Sequence, residues 1–275
     1  MGANTSLLSS DISNVNTNLG DMPESCVALI LSYLEPVDIC RLARINRAFR
    51  AASTADFIWA SKLPSNYRNL AGSLFVTEKL GEKEIFARLS RGVSFDSGNK
   101  EFWLDKTTRG VCVSISSKAL TITGIDDRRY WNHIPSDESR YRTVAYLKQI
   151  WWVEVHGDVE FLFPPGTYSL KFKLRLGKVV KQNGRRVFSN EDVHGWDVKP
   201  VELKFMTSTS QRSVTKRFLK KTEMWEYHNV GEFVVEDSNT PTKVKFSLTQ
   251  IDCTHTKGGL AIDSILICPS DQHNI

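Results

Sequence analysis

The sequence predicts an α+β chain in two parts, a small all-α segment followed by an antiparallel β domain. Two observations carry this. Between Leu19 and Pro64 apolar residues recur at helical spacing, and from Arg91 onward the texture changes to short alternating runs separated by turn signals. A length of 275 residues also fits about two domains.

In the first part, Val27, Ile30, Leu31 and Leu34 form one face of a helix. Asp21 is placed to cap it, and Pro23 sits in the first turn, where a backbone N–H has no intrahelical use. Pro36 is expected to stop it. A second helical run carries Ile39, Leu42, Ala43, Phe49 and Ala52, and a last short helix opens at Asp56-Phe57-Ile58-Trp59 and closes at Pro64. So small a unit buries too little surface to be stable alone, and it carries more apolar side chains than it can hide. A partner protein is expected to cover the remainder. Residues 1–18, rich in Asn, Ser and Thr, read as a disordered leader ahead of this 19–64 segment.

Residues 65–87 read as a connector in which Tyr67, Leu70, Leu74 and Phe75 pack on one part or the other, and 82–89 form a short helix. The β domain spans 88–269, with a tail at 270–275. Strands are expected at 110–116, 119–122, 150–156, 169–176, 202–206, 231–235, 243–250 and 260–267. Turn signals separate them at Pro164-Pro165-Gly166, Asn183-Gly184, Thr240-Pro241 and Gly258-Gly259. Many short strands with few helices imply a sandwich or barrel.

Several function classes find no support. No apolar run approaches the roughly 20 residues of a membrane span, and the N-terminus lacks the regions of a secretory signal. The five cysteines, at 26, 40, 112, 253 and 268, show no paired short spacing, so reduced thiols are expected rather than a disulfide framework or zinc. The six histidines are dispersed, and no metal site is expected. There is no phosphate loop or nucleophile elbow, and nothing sets two carboxylates across a cleft. The chain therefore reads as non-catalytic, with no cofactor. Asp192-Val193-His194-Gly195-Trp196-Asp197 reads as a solvated loop before a strand.

The formal net charge is +5, with basic clusters at 171–186 and 216–221. A nuclear address or an anionic partner is one reading. The other is a solvated face, because Lys171, Lys173 and Arg175 alternate with Phe172, Leu174 and Leu176 as in a half-buried strand. Nucleic acid is not an expected partner. Met1-Gly2-Ala3-Asn4-Thr5-Ser6 fits the pattern for myristoylation of Gly2. One acyl chain without a polybasic patch implies only partial membrane association.

The helical segment resembles the F-box family. The matching residues are Met22-Pro23, Leu31-Ser32-Tyr33-Leu34, Pro36-Val37-Asp38, Ile45-Asn46-Arg47-Ala48-Phe49-Arg50 and Trp59. The resemblance implies docking onto the Skp-type adaptor of a cullin–RING ubiquitin ligase. The residues it assigns to the adaptor are Met22, Pro23, Val27, Ile30, Leu31, Leu34, Pro36, Ile39, Leu42, Phe49 and Trp59.

The β domain resembles the phloem-protein-2, or Nictaba-like lectin, family. The matching residues are 119–123, Asp126-Asp127, Tyr130-Trp131, Ser139-Arg140-Tyr141, 144–147 and 152–157, with looser matches at 100–106, 165–168 and 259–267. The resemblance implies a jelly-roll β-sandwich. Lectin members bind N-acetylglucosamine oligomers and N-glycan cores, and indole faces stack on sugar C–H patches. The first of their two ligand-site tryptophans falls here on Gly124 and the second on Trp131. Their late-strand acidic positions fall near Lys243, Lys245 and Gln250. The candidate sugar- or target-binding residues are thus Tyr130, Trp131, Gly124 and Gln250. Trp131 follows a charged turn and is expected near the surface, as a ligand platform or a core edge. Trp151 and Trp152 are expected in a strand, with at least one pointing into the core.

Together these features predict the substrate-recognition subunit of an SCF-type E3 ligase in nucleus and cytoplasm. The F-box would bind the adaptor, and through it cullin and RING subunits. The sandwich would bind an unidentified target, N-glycosylated or not. The alternative is a nucleocytoplasmic lectin with a non-ligase role.

Overall fold

A computed structural model describes residues 22–74, 80–105, 108, 110–182, 185–189, 193–220 and 224–270, with backbone alone at 73–74, 178–182 and 185–189. The chain divides into two compact units, one formed by residues 1–62 and 81–83, the other by 63–80 and 84–275. Asp21, Phe75, the Asn183-Gly184 turn, the leader with Gly2 and the tail beyond Ser270 lie outside the described residues.

The first unit holds α1 (Glu24–Ser32), α2 (Pro36–Leu42), α3 (Arg47–Ala52) and α4 (Asp56–Ala60). Pro23 stands at the N-cap of α1, and Pro36 opens α2 rather than merely ending α1. The expected second run is two helices. Asn46 breaks it by capping α3, its side chain accepting from Phe49 N at 2.9 Å. Val27, Ala28, Leu31, Ile39, Phe49, Ala52, Ile58 and Trp59 make the core. Two polar contacts tie it: Trp59 Nε1 donates to Ser53 O at 2.7 Å, and the buried Lys62 donates to Ser32 O at 2.8 Å.

The second unit opens with α5 (Tyr67–Leu74), followed by α6 (Glu82–Arg91), which begins in the first unit. Tyr67, Leu70, Ala71, Ile85 and Leu89 are buried in the same core as the strands. The connector thus belongs largely to the β unit, because those five side chains need its core to leave water. The strands are β1 (Val93–Phe95), β2 (Lys100–Leu104), β3 (Val111–Ser116), β4 (Thr121–Ile122), β5 (Trp131–Pro135), β6 (Thr143–Leu147), β7 (Val153–Phe161), β8 (Gly166–Leu176), β9 (Lys178–Gln182), β10 (Arg185–Ser189), β11 (Val201–Thr207), β12 (Arg212–Arg217), β13 (Glu226–Val235), β14 (Thr242–Gln250) and β15 (Leu260–Pro269). One sheet runs β12-β11-β14-β7-β4. In the other, β15 pairs with β8 on one edge and with β3 and β6 on the opposite edge, β13 adds to β8, and β1, β2 and β5 complete it. The pairings between the main strands are antiparallel, and inward residues of both sheets form one core, so the fold is the expected antiparallel sandwich.

The alternation in β8 is as expected: Phe172, Leu174 and Leu176 are buried, while Lys171, Lys173 and Arg175 are partly exposed. Strands β1, β2, β5, β6, β9, β10 and β12 have no counterpart in the sequence expectation. They are short or weakly patterned: β5 contains Pro135, and β12 offers Val214 alone as a strong apolar residue. The expected strand at 119–122 shrinks to β4 because Ser116 caps a 3-10 turn over Ser117–Ala119.

The Ser139-Arg140-Tyr141 stretch is a clasp across the face of the larger sheet turned away from the core. Ser139 Oγ donates to the buried Asp263 at 2.5 Å, and Lys173 Nζ meets the other oxygen of that carboxylate at 2.7 Å. Arg140 pairs with Glu101 at 2.8 Å and lies over the Trp103 ring at 4.0 Å. Tyr141 donates to Ser114 O at 2.8 Å, and burial pushes its phenol up to about 12. Replacing Lys173 by Met strands the Asp263 charge inside the fold, where an unpaired ion costs about 3–5 kcal/mol. Denaturant unfolding should show a loss of that order, partly recovered when Asp263→Asn is added. Unchanged stability in Lys173→Met would contradict the clasp.

Candidate functional site

In the first unit the helices leave Leu29, Ile30, Tyr33, Val37, Ile45 and Phe57 exposed, with Tyr33 at 81%. Leu29 and Ile30 of α1 and Tyr33 at its C-cap stand at i, i+1 and i+4 and so share one stripe, opposite the buried Val27, Ala28 and Leu31. Of the residues assigned to adaptor contact, Pro23 and Ile30 are exposed, and Met22, Leu34, Pro36 and Leu42 are half-buried. Val27, Leu31, Ile39, Phe49 and Trp59 correct the expectation. They are buried in the helical unit's own core, where α1 lies against α3 and α4. Leu29, Tyr33, Val37, Ile45 and Phe57 are exposed but were not among the residues assigned, although Tyr33, Val37 and Ile45 lie inside the matching motifs of the helical segment.

The second unit carries an aromatic end built around Lys257. Its ammonium group is fully buried and donates to the carbonyls of Trp151 (2.6 Å), His255 (3.1 Å) and Asp252. Burial lowers its pKa from the ordinary lysine value, and the charge of Asp252 opposes that shift. The backbones of Lys257 and Ile150 exchange two bonds, of 2.9 and 2.8 Å. Next to Lys257, Trp196 Nε1 donates to Gly258 O at 2.8 Å. A Cβ on Gly258 would run into Lys148 O and the His194 ring, so glycine is required for this approach.

This lock holds Trp151 and Trp152 outside β7, where they are 50% and 40% exposed. The expected burial of one of them is thereby corrected. Val153 and Val155 face inward, so the two-residue period turns Trp152 outward with Glu154 and His156, and Trp151 is held by Lys257 off the ladder. Gln250 pairs with Val153, so the next residue, Ile251 (68% exposed), continues the row beside Trp152. Tyr130 joins this end by way of Gly124. Thr123 N donates to Glu154 O at 3.0 Å, and a Cβ on Gly124 would touch Tyr130 and Ile150.

Two further candidates move. Trp131 is fully buried in the core, not near the surface, because β5 pairs it with Leu147 inside the larger sheet. Gln250 is buried and donates to Lys199 O at 2.9 Å and Gly195 O at 3.3 Å, so its amide is committed to the scaffold. Lys243 and Lys245 sit toward the far end of β14 from Gln250, opposite Glu160 and Asp158, about 17–23 Å away at strand spacing.

In the 192–197 stretch Val193, Gly195 and Trp196 are buried, not solvated, and they line a cavity of about 700 Å³ with Leu176, Phe218 and Lys220; Asp192 lies outside the described residues. Among the described residues no group of three His, Cys, Asp or Glu side chains could hold a metal ion.

The chain thus joins a helical module with an exposed apolar face to a β-sandwich with an aromatic end. The phloem protein 2 family profile matches residues 110–269, and an F-box-like profile matches residues 19–63. The chain is 54% identical to F-box protein PP2-A13 of Arabidopsis thaliana over 95% of its own length and 91% of that protein's. It is 54% identical to F-box protein PP2-A12 over 92% and 88%, and 49% identical to F-box protein PP2-A11 over 98% and 97%, both from the same plant. The chain therefore belongs to the phloem protein 2 family and carries an F-box ahead of that domain.

Lys257→Met removes the donor shared by three carbonyls, and leaving buried acceptors unsatisfied costs about 1–3 kcal/mol. Thermal unfolding should register that loss together with a change in tryptophan emission as the 150–152 segment loosens. Gly124 has φ +82°, so Gly124→Trp should cost about 1–2 kcal/mol of backbone strain whatever stacking surface it adds.

Proposed function

We propose that this protein is the substrate-recognition subunit of an SCF-type ubiquitin ligase. Its F-box docks on the Skp-type adaptor, and its sandwich captures a target protein. The observation that carries the reading is the exposed apolar stripe Leu29-Ile30-Tyr33 on a unit whose own core is already filled. No side chain of this chain performs chemistry in this reading. The rate comes from holding the target within reach of the ubiquitin-loaded enzyme. Nucleus and cytoplasm are the compartments proposed for that work.

The surface proposed for target capture is the Tyr130, Trp151, Trp152 and Ile251 end. Exposed aromatic side chains on a rigid support lose little entropy on binding, which suits them as anchors. A second reading, capture of a glycan on that target, draws support from the same exposed indoles beside Glu154. The ring used would be that of Trp151 or Trp152, since Trp131 is closed off.

Tyr33→Ala should weaken copurification of the adaptor at least tenfold while leaving the thermal midpoint of the chain nearly unchanged. Trp59→Ala should instead unfold the helical unit, since emptying a buried indole site costs about 3–5 kcal/mol. Full adaptor binding by Tyr33→Ala would remove the basis for the assignment. For the sandwich, calorimetry with chitin oligomers separates the two target classes. Affinity lost in Trp151→Ala favours a glycan, whereas no heat from the parent leaves capture to protein surface.

A further inference from the structure

Cys112 and Cys268 face one another across the β3–β15 ladder. That ladder pairs Ile267 with Val113, and antiparallel register carries the next step to Cys268 and Cys112. The close approach of Gly110 to the Pro269 ring agrees with that register. Val113 and Ile267 point into the core, so the cysteines flanking them share the opposite face.

Neither cysteine uses its backbone groups on the other. Asp105 N donates to Gly110 O and Ser116 N to Asn99 O, both at 2.8 Å, so alternate residues 110, 112, 114 and 116 turn their polar groups to β2. Ser270 N donates to Thr167 O at 2.9 Å, so 270 and 268 turn theirs to β8. Cys112 and Cys268 are therefore a non-hydrogen-bonded pair, the kind whose Cα atoms approach to about 4.5 Å. A disulfide needs roughly 4.4–6.8 Å between Cα atoms. Cys112 is buried, Cys268 is half-buried, and both are reduced. Burial raises the Cys112 pKa, and the neighbouring Cys268 adds to the shift.

We propose that Cys112 and Cys268 form an intrachain disulfide on exposure to a low-molecular-weight disulfide such as oxidised glutathione, clamping the C-terminal strand to β3. Cys268, the more accessible, attacks first as thiolate, forming a mixed disulfide and expelling one glutathione thiolate. Cys112 then gives its proton to solvent and attacks the Cys268 sulfur, expelling the second. Two protein thiols are oxidised by two electrons, and one glutathione disulfide is reduced to two glutathiones. The bond closes a loop containing most of the β domain, the arrangement for which a cross-link restricts the unfolded chain most.

The test uses the full-length protein incubated with oxidised glutathione, denatured, alkylated and mapped by mass spectrometry without reduction. Alkylatable thiols should fall from five to three, with a linked peptide pair containing Cys112 and Cys268 that dithiothreitol separates. The thermal midpoint of the oxidised protein should rise on the order of 10 °C. A variant carrying Cys26→Ser, Cys40→Ser and Cys253→Ser changes exposed positions only and should give the same link. Five persisting thiols, a lasting glutathione adduct on Cys268 or a link between chains would overturn the proposal, as would a lower midpoint in the linked protein.

Discussion

Strand β15 is hydrogen-bonded along both edges, and the rest of the β unit hangs from that fact. Leu260 to Ile262 pair with β6, Ser264 to Ile267 with β3, and the whole length with β8. Its pairings with β3 and β6 join residues far apart in sequence, so β15 holds the sheet by contacts of high sequence separation. Its entry is fixed by Gly258 and Lys257, and its bulge at Asp263 carries the carboxylate that the clasp neutralises. One strand thus couples the scaffold of the aromatic end to the polar face on the sheet's other side.

The same economy explains where function is left open. The helical unit buries its indole and its aliphatic residues in a single small core, and nothing inside remains to receive Leu29, Ile30 and Tyr33. At about 25 cal/mol per Å², three large apolar side chains in water represent several kcal/mol available to a partner. At the aromatic end the order is reversed. There a buried ammonium group is spent on three carbonyls, at a desolvation cost, so that two tryptophans stay out of the core.

Element type followed from the sequence wherever burial was one-sided. β8 and β14 alternate cleanly because one face meets the core and the other meets water. β5 and β12 were illegible because their own apolar pattern is weak, although each pairs with a strand close by in sequence. Of the residues singled out for this end, Trp131 and Gln250 are buried scaffold, and at least one of Trp151 and Trp152 was expected in the core rather than at the surface. Tyr130, Gly124 and the Trp151-Trp152 pair do come together, but which indole faces water depends on where β7 begins. That start is decided by Lys257, roughly a hundred positions along the chain. A motif match places residue types at positions without saying whether they bind or support. Ser139, Arg140 and Tyr141 support, as does Tyr168, whose phenol turns back to Pro164 O at 2.9 Å.

The basic residues raise a related point about substitution at a site. Lys243 and Lys245, set near the acidic positions of lectin relatives, lie on the outer face of β14 well away from Gly124. Lys243 is paired with Asp158 at 3.2 Å. A cation at that distance neither repels nor replaces a ligand contact beside Tyr130, since exposed charges are largely screened beyond about 8–10 Å. The change that matters for any ring-stacking ligand is therefore aromatic and local. Gly124 supplies no ring and Trp131 is enclosed, while Trp151 and Trp152 stand outside on a segment that Lys257 holds rigid. The exposed aromatic surface at this end lies in the residues before β7 and not at the start of β5, and a shallow pair of exposed indoles suits an extended, irregular partner surface over an enclosed small molecule.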